Sequence, residues 1–163
     1  MASKLKRRRP AAYYEVDGLS LHDEMLRLCS LPLFGGEAGE LALDPPDLAI
    51  RRASRRPRRN LGFAVPAERR ISVTAYPGIR PGDLLETLLH ELVHIAVGRS
   101  GGQWHGAVFR RTLAEAMRQA YGVVAPAGPA SIHGSYAEVL ERRRRQAQKP
   151  AVHPGQLALG EAA

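Results

Sequence analysis

The sequence predicts an α+β domain, with an N-terminal helix, a small antiparallel sheet and two further helices, and three stretches carry that prediction. In "LSLHDEMLRLCSLPLF", residues 19–34, Leu21, Met25, Leu26 and Cys29 have the spacing of one helix face. In "ISVTAY", residues 71–76, Ile71, Val73 and Ala75 alternate with Ser72, Thr74 and Tyr76, as on a strand with one buried face. After "PGIRPG" the apolar period changes to that of a helix, which runs through "LLHELVHIAVG", residues 88–98. A chain of 163 residues suffices for one compact domain with a real core, and is short for two.

Taken in order, residues 1–12 form a basic N-terminus with no apolar pattern and are expected to be disordered. The domain proper spans residues 13–124 and starts with the short helix. Residues 35–46 carry "GG" and "PP" and read as a connection, with a short strand around residues 41–43. "DLAIRRAS", "NLGFAV" and "ISVTAY" follow as strands, and the five residues 66–70 between the last two suggest a hairpin. Asp83, with Glu86 three residues on, resembles a capping box at the start of the second helix, and Gly98 is a natural stop for it. A third helix over residues 106–121 turns Phe109, Leu113, Ala116 or Met117, and Ala120 inward, and ends at Gly122. Residues 125–163, rich in Pro, Ala, Gly and Arg, read as a peripheral segment and a flexible basic tail.

Composition narrows the chemistry. No run approaches the roughly 18 apolar residues of a membrane span, and no apolar block follows the basic N-terminus, so a cytoplasmic protein of bacterial type, nucleoid-associated or free in the cytosol, is expected. One cysteine, Cys29, excludes an internal disulfide and any zinc site built from paired cysteines. Metal chemistry must then rest on histidines and carboxylates. The net charge of +8 is uneven: residues 15–47 hold eight acids and one Arg, whereas residues 51–70 hold eight Arg and one Glu. Further basic runs lie at residues 4–9 and 142–145. Such clusters suit nucleic-acid contact, although 21 of the 24 basic residues are Arg, a bias that GC-rich coding also produces.

Within "LLHELVHIAVG", His90 and His94 are four residues apart and therefore stacked on one helix face, where both can reach one ion. Glu91 points to the adjacent side, beside the place of a metal-bound water; this is the H-E-x-x-H arrangement of zinc peptidases. The plain alternative is a pair of hydrogen-bonded core histidines. A catalytic zinc takes three protein ligands and keeps one position open. A metzincin would need its third His where Ser100 stands. Two candidates remain on spacing: Glu115, 21 residues after His94, and His105, 11 residues after it.

"LLHELVHIAVG" followed by "HGAVF" resembles the SprT-like family, which includes the Spartan proteases of DNA–protein crosslinks, with its H-E-x-x-H and H-G-x-x-F motifs. The resemblance covers roughly residues 18–121. It implies a compact zincin-type domain in which His90, His94 and His105 hold one catalytic Zn2+, Glu91 is the acid/base, and Gly106 and Phe109 set the third helix against the second. It also implies a zinc metalloendopeptidase that hydrolyses peptide bonds through a zinc-bound water activated by Glu91, acting on protein or peptide substrates, with DNA as a candidate partner. Bacterial members commonly end in a cysteine-based zinc ribbon, which this chain lacks the cysteines to build.

The chemistry also needs a group that stabilises the oxyanion, and the candidates are Tyr76, Tyr121, His133 and Tyr136, the last two in "SIHGSY". Arg51, Arg52, Arg55, Arg56, Arg58 and Arg59 flank the strand "NLGFAV" and are the candidate nucleic-acid contacts nearest the cleft. Trp104 is read as an apolar cap over the loop before the third helix, with base stacking as the sharper alternative. Two rival readings stand beside the peptidase. One is a nucleic-acid-binding protein with a structural or degenerate zinc site; the other is a small H-E-x-x-H peptidase of another family that uses Glu115.

Overall fold

The computed structural model describes residues 9–37, 42–99 and 102–122. The N-terminal residues 1–8, the basic run at residues 142–145, His133 and Tyr136 lie outside the described residues. The described residues form an α+β architecture, with three α-helices and two small sheets among them. After a 3-10 turn at Ala11–Tyr14, a hairpin pairs β1 (Glu15–Val16) with β2 (Leu19–Ser20). The sequence reading had no strands here. The signal is the Asp17-Gly18 dipeptide, whose positive φ angles of 50° and 80° make the tight turn that such a hairpin requires.

Helix α1 (Leu21–Cys29) starts where the Ser20 hydroxyl accepts a hydrogen bond from the Asp23 amide at 3.2 Å. It buries Leu21, Met25, Leu28 and Cys29, one apolar face as the spacing predicts, with Leu28 in the place expected of Leu26. Ala42 and Leu43, expected in a strand, form none; both amides donate to the Cys29 carbonyl, at 3.1 and 3.0 Å.

The main sheet contains β3 (Asp47–Arg52), β4 (Gly62–Val65) and β5 (Arg70–Ala75) in the order β3-β5-β4. The expected hairpin is present: β4 turns through the 3-10 segment Pro66–Glu68 and pairs antiparallel with β5. The sheet as a whole is not antiparallel, because β3 runs parallel to β5, Leu48 beside Ile71 and Ile50 beside Val73. Residues 53–61 carry the chain past the position that β5 later fills, so β5 rises between two strands that are neighbours in sequence. This central place buries all of Ile71 to Ala75, including Ser72 and Thr74 on the second face of the alternation.

Helix α2 (Pro81–Val97) lies at the centre of the core, packed against α1, β4, β5 and α3 (Ala107–Tyr121). Leu84, Leu85, Leu88, Leu89, Leu92 and Val93 are each 3 % exposed or less, so the helix is apolar on nearly every side except the one carrying the histidines. It begins two residues before the expected capping box. Pro81 sets the first helical φ, and Asp83 pairs with Arg80 at 3.1 Å instead of capping. Its end at Gly98 and the end of α3 at Gly122 are as the sequence predicts. No helix among the described residues is long and apolar enough to cross a membrane.

Candidate metal centre and cleft

One turn of α2 presents His90 and His94 to the same side, and their Nε2 atoms are 3.2 Å apart. His105, just ahead of α3, brings its Nε2 to 3.2 Å from that of His90 and 3.1 Å from that of His94. Three nitrogens bound to a tetrahedral ion at about 2.0–2.1 Å stand about 3.3 Å from one another. The triangle therefore fits a metal ion, and these three residues are the group among the described residues whose ligand atoms could hold one.

The electrostatics agree with the geometry. Burial, reinforced by His94 and His105, holds His90 down to about pKa 4, and burial together with His105 holds His94 at about 4. The rings are thus neutral near pH 7, the form that ligates metal. Three imidazole nitrogens aimed at one point cannot all share protons with one another, whereas a cation satisfies all three lone pairs. The Phe109 ring touches all three imidazoles, with centroids 4.9, 4.4 and 4.9 Å from His90, His94 and His105. Trp104 meets the His94 ring edge-on at 5.7 Å. Nδ1 of His94 is buried without a hydrogen-bond partner among the described residues, so ring packing fixes this imidazole.

Glu91 is 5 % exposed, and burial pushes its carboxyl up to about pKa 7. It stands outside the ligand triangle, on the side of α2 that faces β4. Between β4 and α2 runs a cleft of about 630 Å³, lined on one wall by residues 61–64 and on the other by Asp83, Glu86, Thr87, His90, Glu91 and His94. Trp104 and His105 complete its lining, and Arg59 and Asn60 border it. Trp104 is 43 % exposed and forms part of the cleft wall.

The two edges of the sheet differ. At the outer edge of β3 the Tyr13 hydroxyl accepts from the Ile50 amide at 3.0 Å and donates to the Ile50 carbonyl at 3.3 Å, which blocks that edge. On β4, the Thr74 amide donates to the Leu61 carbonyl at 2.7 Å and Phe63 stands opposite Ser72. Antiparallel alternation then turns the peptide groups of Gly62 and Ala64 away from β5, toward the open side.

Other sequence candidates lie elsewhere. Glu115 is held low in pKa by hydrogen bonds from Arg118, at 2.8 Å, and Gln119, and is not part of the histidine cluster. Tyr121 donates to Glu24 on α1 and packs against Arg27, a structural link between α1 and α3 and not a cleft position. Tyr76 is half-buried against the core and does not line the cleft. Arg51 is exposed near the end of β3, and Arg52, its last residue, donates to the Glu15 carbonyl at 2.9 Å. Arg55, Arg56, Arg58 and Arg59 are exposed on the connection to β4. The residues that sequence reasoning missed are Gly62 and Thr87, both against Glu91 or the cleft; a glycine within a strand pattern was the available signal.

No family model matches the sequence, and no curated protein matches it. The SprT-like resemblance therefore rests on its two motifs. Among solved structures, the chain is similar to the crystal structure of the metallopeptidase zymogen of Pyrococcus abyssi abylysin, at 15 % identity and a TM-score of 0.39, over 81 % of this chain and 99 % of that one. A likeness of that size carries no inference about function.

Proposed function

We propose that this chain is a zinc-dependent endopeptidase of the SprT-like, zincin type, with His90, His94 and His105 as metal ligands and Glu91 as the acid/base. The observation that carries the reading is the Nε2 triangle of 3.1–3.2 Å, with a buried carboxylate on the next residue of the same helix. When bound there, a zinc ion supplies Lewis acidity toward a water and a carbonyl oxygen. Glu91 accepts the proton of the attacking water and hands it to the departing nitrogen; a carboxyl held near pKa 7 serves both tasks at neutral pH. The open edge of β4 supports an extended peptide as substrate. Gly62 and Ala64 would bond its main chain, which makes selection by side chain weak. His133 and Tyr136, outside the described residues, stand as the oxyanion candidates.

Among the described residues three ligands face an open cleft, which argues against the rival structural site, closed by a fourth. Arg59 at the cleft, continuous with Arg55, Arg56 and Arg58, supports a contact with DNA that brings DNA-associated proteins to the site. Cleavage of an unstructured protein such as casein by the zinc-loaded chain, abolished by chelation and restored by zinc, is the expected result. A zinc-loaded chain with no cleavage of any unstructured protein, with or without single-stranded DNA, contradicts the reading.

A further inference from the structure

We propose that Gly62 is a positioning residue for Glu91: the missing side chain at this point of β4 sets where the carboxylate stands relative to the substrate strand. The inference rests on the reading of Glu91 as the proton carrier. Gly62 does not have a positive φ, so no backbone conformation demands glycine here. Glycine also weakens a strand, having no side chain to pack. What the position requires is the absence of volume. A Cβ at residue 62 would stand 2.7 Å from Cγ2 of Thr87, 2.8 Å from the Ser72 carbonyl oxygen and 2.9 Å from Oε1 of Glu91.

Of these three neighbours, two are fixed. The Thr87 hydroxyl donates to the Asp83 carbonyl at 2.6 Å, which holds its rotamer, and the Ser72 carbonyl belongs to the central strand. The Glu91 carboxylate, at the end of a longer side chain, is the neighbour free to yield, while the two nearer, fixed contacts are relieved only by a shift of β4 itself. It falls about half an ångström short of ordinary van der Waals contact with such a Cβ. Displacement on that scale matters for a reacting group, since a misplacement of about 1 Å can cost about a hundredfold in rate. The same residue turns its peptide groups toward the cleft, so one position sets the distance between the proton carrier and the paired substrate.

The test is Gly62→Ala in the full, zinc-loaded chain, with kinetics and melting measured on the same preparations. The expected result is a fall in kcat of about tenfold or more with KM within about threefold, and with zinc still stoichiometric. A purely structural role would instead change stability and leave kcat of the folded fraction intact. Melting is then compared across a cycle with Glu91→Ala: Gly62→Ala should lower Tm less when the carboxylate is gone, because the two positions touch. If Gly62→Ala does not fold alone, recovery of a folded chain in the double variant supports the contact. Wild-type kcat in Gly62→Ala, or equal melting penalties in both backgrounds, including failure to fold in both, overturns the proposal. Wild-type turnover in Glu91→Gln would remove the proton-carrier reading instead, and the melting cycle reads the contact independently of it.

Discussion

The Nε2 atoms of His94 and His105 lie 3.1 Å apart although a glycine-containing loop separates the two residues in sequence. That contact favours His105 over Glu115 as the proposed third ligand, since Glu115 is engaged by Arg118 and Gln119. His105→Ala should therefore lose stoichiometric metal, and Glu115→Ala should keep it. Metal analysis of the dialysed proteins checks this; the reverse order would place the metal elsewhere.

The metal-free protein should show a particular dependence of stability on pH. Folded His90 and His94 titrate near 4 against a reference of 6.5, so the unfolded chain binds more protons between those values and their contribution grows as pH rises. Glu91 acts in the opposite sense. Its pKa is about 7 when folded against 4.5, so its contribution is full below pH 4.5 and is lost as pH rises toward 7. Two histidines against one carboxyl leave a net rise from these three groups between about pH 4.5 and 6.5, followed by a slight fall to about pH 7. Glu91→Gln removes the opposing slope, so its Tm should climb more steeply than that of the wild type across this window. Parallel melting curves for the two chelated proteins would show that burial does not shift Glu91.

The exposed Arg55, Arg56, Arg58 and Arg59 carry the proposed DNA contact. Affinity for single-stranded DNA should fall steeply with salt, by a log–log slope near 0.7 per phosphate contact. Neutralising the four together should flatten that slope by roughly two to three units and reduce any DNA-stimulated cleavage, with zinc content unchanged. Fluorescence anisotropy at several salt concentrations reads it. An unchanged slope would assign residual binding to the basic runs at residues 4–9 or 142–145.

The helices were legible because their evidence is local. Leu84 to Val93 repeat at helical spacing, Gly98 and Gly122 stand at the ends, and His90, Glu91 and His94 form the H-E-x-x-H pattern of a candidate metal site within five residues. The existence of β3, β4 and β5 and the β4–β5 hairpin are local too. Strand partners are not: alternation in "ISVTAY" says nothing about which chain lies beside it, and the parallel neighbour of β5 comes from across the crossover. The burial of Ser72 and Thr74 follows from that central place and has no mark in their own residue types. His105 was legible only as one of two spacings until the loop brought it to the other rings, and Gly62 joined the site only when the sheet set it against Glu91.

The most direct measurement of the central claim compares wild type and Glu91→Gln at equal zinc content in a peptide-cleavage assay. Gln keeps the volume and polarity of the buried side chain but cannot carry the proton. The predicted result is one zinc per chain in both proteins, with kcat lower by about a hundredfold or more in the variant. Cleavage at the wild-type rate by purified, zinc-loaded Glu91→Gln would contradict the account.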